Sequence, residues 1–212
     1  MSRFKNSDGI IVVDRMILVI RENKQYLSDI DGAIGDGDHG VNMNKGFSMT
    51  REALDKDPGD LSHGLKTLAK ILMMRIGGSM GPLYGTIFKT MGRSLADHNM
   101  IDATLFSEAL NGIGDGMARL SEAKVGDKTL VDALYPAIDA YNRSLVEGSD
   151  FKGALEAMKN AAEEGRDSTE DMVARIGRSS RLGERSRGVI DAGAASCALL
   201  LGVMADTIIE LL

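Results

Sequence analysis

Apolar residues recur along this chain at spacings of three, four and seven. Val13, Met16, Ile17, Ile20 and Leu27 make one such stripe, Leu61, Leu65, Leu68, Leu72 and Ile76 a second, and Leu83, Ile87, Met91 and Leu95 a third. Phe106, Ala109, Leu110, Ile113, Met117 and Leu120 make a fourth, with Asp102 placed as its N-cap. That spacing stacks apolar side chains on one face of a 3.6-residue helix, so each stripe predicts an amphipathic helix buried on one side. The same pattern marks 42–55, 129–147, 151–174, with Gly165 as its candidate break point, and 193–212. About eight helices result, and no run alternates with the period of two that a half-buried strand requires. The fold class is therefore all-α. Glycine clusters in the connections, at Gly32 to Gly40, Gly77 to Gly81, Gly126, and Gly177 to Gly193, at intervals of about two helices. In an antiparallel bundle that interval brings the special loops to one end. No internal repeat and no Pro/Ser-rich linker divides residues 1–212, so a single domain is expected.

Composition supports the helical reading and poses one question. Aromatic residues make up 4% with no Trp, while there are 13 Met, 25 Gly and 3 Pro among 212 residues. Ala, Leu, Met, Glu and Lys suit helices, whereas strands favour aromatic and β-branched side chains. Glycine is costly inside a helix, so its excess belongs where the backbone does something special. A chain of this length keeps a folded surface of roughly 9,500 Å² and can build a real core without staples.

Charge and cysteine usage narrow the classes. A net charge of −6, from 31 acidic and 25 basic residues, argues against sequence-independent nucleic-acid binding, which needs a cationic face. The one cysteine, Cys197, sits in an apolar helical run, forms no internal disulfide and fits a reducing cytoplasm. The N-terminal apolar stretch is interrupted by Asp14 and Arg15 and lacks a small-residue cleavage site, so it does not read as a signal peptide. Ala192 to Ala205 is uncharged but too short to span a bilayer, with Asp206 ending it; a buried core helix, not a membrane segment, is expected.

The densest chemistry lies in Asp31-Gly32-Ala33-Ile34-Gly35-Asp36-Gly37-Asp38-His39-Gly40, where three carboxylates fall within eight positions among four glycines. Carboxylates turned to one point raise each other's pKa unless a cation lies between them. Hard oxygen donors suit Mg²⁺, Mn²⁺ or Ca²⁺, and Mg²⁺ typically takes one or two carboxylates and shares phosphate and water oxygens. An EF-hand is excluded: counting from Asp36, its sixth position is Val41 rather than Gly and its twelfth is Phe47 rather than Glu. Gly35-x-Gly37-x-x-Gly40 also matches the dinucleotide fingerprint, but no strand precedes it and Asp36 and Asp38 would repel a pyrophosphate. Phosphate could approach here only through metal ions. The competing structural reading is an acidic surface turn with Asp38 capping the next helix.

Three further segments qualify. Gly77-Gly78-Ser79-Met80-Gly81-Pro82 leads into the helix beginning Leu83-Tyr84 and offers backbone amides, a hydroxyl and a first-turn proline. That suits an anion at a helix N-terminus, or simply a tight turn; it is not a Walker loop, lacking the Lys and Ser/Thr after its last Gly. Gly126-Asp127-Lys128-Thr129-Leu130 reads as an ordinary helix start. Gly177 to Gly188 concentrates arginines in an acidic chain, either as a phosphate grip or as a solvated basic loop, and Asp191-Ala192-Gly193 caps the last helix. His39 could act as a base, a nucleotide contact or a support for the carboxylates.

Four strings, GDGDHGVNMNKGF (35–47), GGSMGPLYGT (77–86), GDKTLVD (126–132) and GRSSRLGERS (177–186), closely resemble the nucleotide-binding L subunits of dihydroxyacetone kinases, in order over most of the chain. The resemblance implies a barrel-like antiparallel bundle of eight helices with a nucleotide, ADP or ATP, and two Mg²⁺ ions at one end. It implies Asp31, Asp36 and Asp38 as metal ligands, and His39, Gly40, Val41, Asn42, Ser79, Met80, Leu130, Arg178, Asp191, Ala192 and Gly193 around the nucleotide. It implies a phosphotransferase whose small hydroxyketone is held by a separate K subunit. ATP is exchangeable in one branch; in the other, bound ADP is rephosphorylated by an M subunit of the phosphoenolpyruvate-dependent phosphotransferase system. Met80 stands where the family commonly has Ser, and Ala192 replaces a usual Pro, while the metal triad is intact. The length fits a free-standing subunit better than a fused kinase, and lacks the acyl-carrier contact domain of a fatty-acid kinase. The alternatives are a non-enzymatic, metal-stabilised module on the same scaffold and a subunit acting on another ketose such as erythrulose.

Overall fold

The computed structural model describes residues 2–212 and contains, among them, nine α-helices and two three-residue strands. In chain order they are β1 (Arg3–Lys5), α1 (Ile10–Glu22), α2 (Lys24–Ile34), α3 (His39–Lys56), α4 (Leu61–Arg75), α5 (Met80–Ser94), β2 (Met100–Asp102), α6 (Ala103–Leu120), α7 (Val131–Val146), α8 (Phe151–Ser168) and α9 (Ala192–Leu211). Two 3₁₀ segments, Thr169–Asp171 and Ser179–Ser186, lie in the connection before α9.

The packing partners trace a closed ring: α1 on α3, α3 on α4, then each helix on its successor to α9, which returns to α1. Consecutive members are antiparallel, so the molecule is a helical barrel. The stripe from Val13 to Leu27, expected as one helix, is two, because Asn23 leaves helical geometry at φ −98° and ψ 9°. The Asn23 side-chain amide donates to Val19 O at 2.9 Å, the local competition with the backbone that bends helices. The ladder nevertheless crosses the bend, with Asn23 N bonded to Val19 O and Leu27 N to Asn23 O. α1 and α2 thus follow one another as a kinked rod, and the barrel keeps eight positions.

Other boundaries also differ from the sequence reading. α5 begins at Met80, so Gly81 and Pro82 lie in its first turn. α8 runs through Gly165 to Ser168 and stops short of 174. α9, by contrast, runs from Ala192 to Leu211 much as the pattern predicted, and Asp206 within it pairs with Lys159 on α8 at 2.8 Å. By length and composition α9 could cross a membrane, yet 72% of its apolar window is buried inside the barrel, as expected of a core helix. The short β1–β2 ladder, which no alternating pattern announced, pairs Phe4 with Ile101 antiparallel. It belongs to the end where α4 starts and α5 finishes: buried Asn6 donates to Leu95 O and His98 O and accepts from Ser62 N. The solvent-accessible surface, 9766 Å², matches the size-based expectation.

Candidate functional site

At the other end, the connections α2–α3, α4–α5, α6–α7 and α8–α9 come together. All four line one cleft of about 600 Å³, within the range of small-ligand sites. A hollow of about 540 Å³ on the outer α7–α8 face, around Asp139, Arg143 and Glu164, has no comparable convergence.

Helix capping differs between the two ends of the barrel, apart from α1, which starts at the far end from Gly9 without a side-chain cap. At the far end α4, α6 and α8 are capped by Asp60, Asp102 and Asp150, whose carboxylates accept from His63 N, Leu105 N and Gly153 N. At the cleft end α3, α5 and α7 start without a side-chain cap, and only α9 is capped, Asp191 accepting from Ala194 N at 2.8 Å. Uncapped N-termini leave backbone donors and the positive end of the helix dipole available to an anion. Asp38 occupies the N-cap position of α3 but makes no cap hydrogen bond. Its carboxylate lies instead with those of Asp31, at the end of α2, and Asp36, in the connection, with one oxygen from each within 4.8 Å of the others. Gly37, at φ +74°, makes the turn between Asp36 and Asp38. Asp31 Oδ2 accepts from His39 N at 3.2 Å, so the first amide of α3 is tied to the cluster. Three converging carboxylates fit a hard divalent cation. Arg178 pairs with Asp36 across the mouth.

The opposite wall is built from long-range polar contacts. His39 Nε2 shares a hydrogen bond of 2.8 Å with Ser196 Oγ on α9. Ser196 Oγ in turn lies 2.6 Å from the hydroxyl of buried Tyr84, and that hydroxyl donates to Gly193 O at 3.1 Å. Burial pulls the His39 imidazole down to about 4, against the nearby Asp31, and pushes the Tyr84 phenol up. Burial also raises the Asp191 carboxyl to about 6, against its bond from Ala194 N. Asp132 is buried and accepts from Gly126 N at 2.5 Å and Thr129 N at 2.7 Å, which shapes the α6–α7 connection. Burial lowers the Lys128 ammonium, while Asp191 and Glu170 act to raise it.

Asp31, Asp36, Asp38, His39, Asn42, Ser79, Met80, Leu130, Arg178, Asp191, Ala192 and Gly193 all line the cleft. Gly40 and Val41 do not. Gly40 is buried against α2, where a Cβ would stand 2.0 Å from Lys24 O, and Val41 is 47% exposed on the outer face of α3. Sequence reasoning passed over Lys128, Thr129, Tyr84, Leu120 and Ile176, which also line the cleft, and Ser196, which holds His39. Lys128, Thr129 and Tyr84 stood within recognised blocks; Leu120, Ile176 and Ser196 carry no local signal.

Fold and site together define a class, an all-helical barrel whose carboxylate cluster and uncapped helix N-termini share one open end. The chain belongs to the DAK2 domain family, whose model matches residues 33–206. It is 38% identical over 189 residues to the ADP-binding subunit of PEP-dependent dihydroxyacetone kinase 1 of Listeria innocua, covering 89% of each chain. It is 35% identical to the corresponding Escherichia coli subunit, covering 88% of this chain and 90% of that one. The native dihydroxyacetone kinase of C. freundii has the same fold, with a TM-score of 0.72 at 23% identity over 96% of this chain. In complex with AMP-PNP and Mg²⁺ it superposes with a TM-score of 0.65 at 21% identity. The present chain spans 35% of the native kinase's length.

Proposed function

We propose that this chain is the nucleotide-binding subunit of a dihydroxyacetone-type kinase, a phosphotransferase that presents a Mg²⁺-bound nucleotide to a small hydroxyketone held on a separate K-type subunit. The observation that carries this reading is Asp38 turned away from capping and gathered with Asp31 and Asp36, beside the starts of α3 and α5, whose N-cap side chains make no cap hydrogen bond. Asp31, Asp36 and Asp38 would hold the Mg²⁺, two ions on this reading. When bound, the ions neutralise phosphate charge that the acidic loop would otherwise repel.

The chain's own residues position and enclose. In the first turn of α3 the amides of Gly40 and Val41 offer backbone donors to phosphate oxygens, while His39 N is held by Asp31, Asn42 N by Asp38 O, and both side chains line the cleft; the first turn of α5, with Ser79 and Met80, offers the rest. Ser79 keeps its hydroxyl uncommitted to capping. Arg178 turns from Asp36 to a phosphate and grips it bidentately. Leu130, Ala192 and Gly193 form the wall against the nucleoside, with Asp191 fixing the start of α9. Phosphoryl transfer asks little covalent chemistry of a protein, so positioning and charge neutralisation are the work this cleft is built for.

The Listeria innocua and Escherichia coli relatives are named as PEP-dependent and ADP-binding, which favours the branch in which ADP stays bound and an M-type subunit rephosphorylates it. The buried, inert Cys197 agrees with a cytoplasmic location for this single-domain subunit.

Calorimetric titration with ADP, with and without Mg²⁺, tests the reading. Wild type should bind in a metal-dependent manner, and Asp36→Asn should weaken binding at least tenfold, about 1.4 kcal/mol. Metal-independent binding, or an unchanged Asp36→Asn, refutes the metal role. Phosphate transfer to dihydroxyacetone should appear only when a K-type chain is added. Nucleotide that survives gel filtration and resists exchange with free ATP supports the bound-ADP branch.

A further inference from the structure

Lys128 has no part in the function just described, yet its placement is unusual for a lysine. It is 1% exposed, and its backbone, at φ 62°, is the one non-glycine among the described residues in the left-handed region, which disfavours a side chain. Its ammonium donates to Thr169 O and to Val189 O, each at 2.5 Å. A buried ammonium needs such acceptors, and these two stand at opposite ends of the long connection between α8 and α9. Thr169 is itself fully buried: its hydroxyl donates to Arg166 O at 2.6 Å and accepts from Asp191 N at 3.0 Å. Asp191 then caps α9. Gly193, in the first turn of α9, lies so close to the α6–α7 connection that a Cβ there would come within 3.3 Å of Leu130 Cβ.

One ammonium thus gathers the departure of the strap (Thr169), its return (Val189, and Asp191 through Thr169) and the α6–α7 connection that carries Leu130. Without it three segments of cleft wall lose their common anchor, while the apolar barrel beneath them keeps its contacts.

We propose that Lys128 is a positioning residue, whose ammonium pins both ends of the 172–191 strap and so sets Arg178, Leu130 and the first turn of α9 at the separation a nucleotide needs. The part about nucleotide rests on the function proposed above; the pinning itself does not.

The test combines Mg–ADP titration with amide hydrogen exchange on the nucleotide-free full chain. Lys128→Met should weaken Mg–ADP binding at least tenfold and speed exchange selectively across 172–195, leaving α4 and α5 protected as in wild type. Lys128→Arg, which keeps charge and donors, should recover most of the affinity. Should Lys128→Met fail to fold, Thr169→Val carries the test: loss of the acceptor for Asp191 N should speed exchange at Asp191–Ala195 and weaken binding. Wild-type affinity in the folded variants, or weaker binding with unchanged exchange across the strap, overturns the proposal. So does a uniform rise in exchange over the whole barrel. If wild type itself does not bind Mg–ADP, the functional reading fails, and the exchange results alone decide the pinning.

Discussion

Asp191 and Asp38 sit at equivalent places, the N-cap of a helix entering the cleft, and do opposite things. Asp191 spends its carboxylate on Ala194 N, deep enough that burial raises it to about 6. A carboxyl raised above its unfolded value of about 4 binds protons more tightly in the folded state. Between those two values the native protein holds more protons, so this group's contribution to stability falls as pH rises from about 4 to about 6. Asp191→Asn keeps a capping oxygen and removes the titration; melting curves of the nucleotide-free protein should lose part of their decline over that window. Asp38 leaves its helix uncapped and joins Asp31 and Asp36. The carboxylates were legible in the sequence because they lie within one short loop. The partners of Lys128 lie 41 and 61 residues away, and Ser196 lies 157 residues from His39 and 112 from Tyr84, so no local pattern could reveal these contacts.

Among the elements, stripes of Leu, Ile and Met predicted where helices form, and aspartate N-caps predicted where two of them begin. Asp102 and Asp191 both cap as the sequence indicated. The bend at Asn23 escaped the pattern because the ladder and the apolar stripe both run across it. Gly40, expected around a nucleotide, also lets α3 cross α2 closely. A methyl group there meets backbone that cannot yield, so Gly40→Ala should cost about 1–3 kcal/mol in urea unfolding, as overpacking does. Because Asp31 rides on α2 and Asp38 on the start of α3, the same substitution should weaken Mg²⁺-dependent ADP binding. Calorimetry on the folded variant checks this second effect.

In the whole molecule, the two ends of the barrel carry different tasks. Asn6 joins β1, the start of α4 and the end of α5 at the end remote from the cleft. Asn6→Ala leaves buried backbone groups without partners and should cost about 1–3 kcal/mol. Calorimetry should still find Mg–ADP bound with near wild-type affinity. At the cleft end, a ligand that binds only the folded chain raises stability: Mg–ADP at a hundred times its Kd should add about 2.7 kcal/mol. A chelator should remove most of that gain, read as a fall in melting temperature. The sequence by itself determined the all-helical class, the alternation of special loops and the three carboxylates, because each depends on residues close together in the chain. It also raised the matter of 25 glycines in a helical protein, and of an acidic chain reading as a phosphate binder. Only the tertiary structure decided how the ring closes, which helices stay uncapped, and that one buried lysine ties the strap to the wall. Those outcomes depend on contacts between distant segments, which packing brings together and periodicity cannot encode.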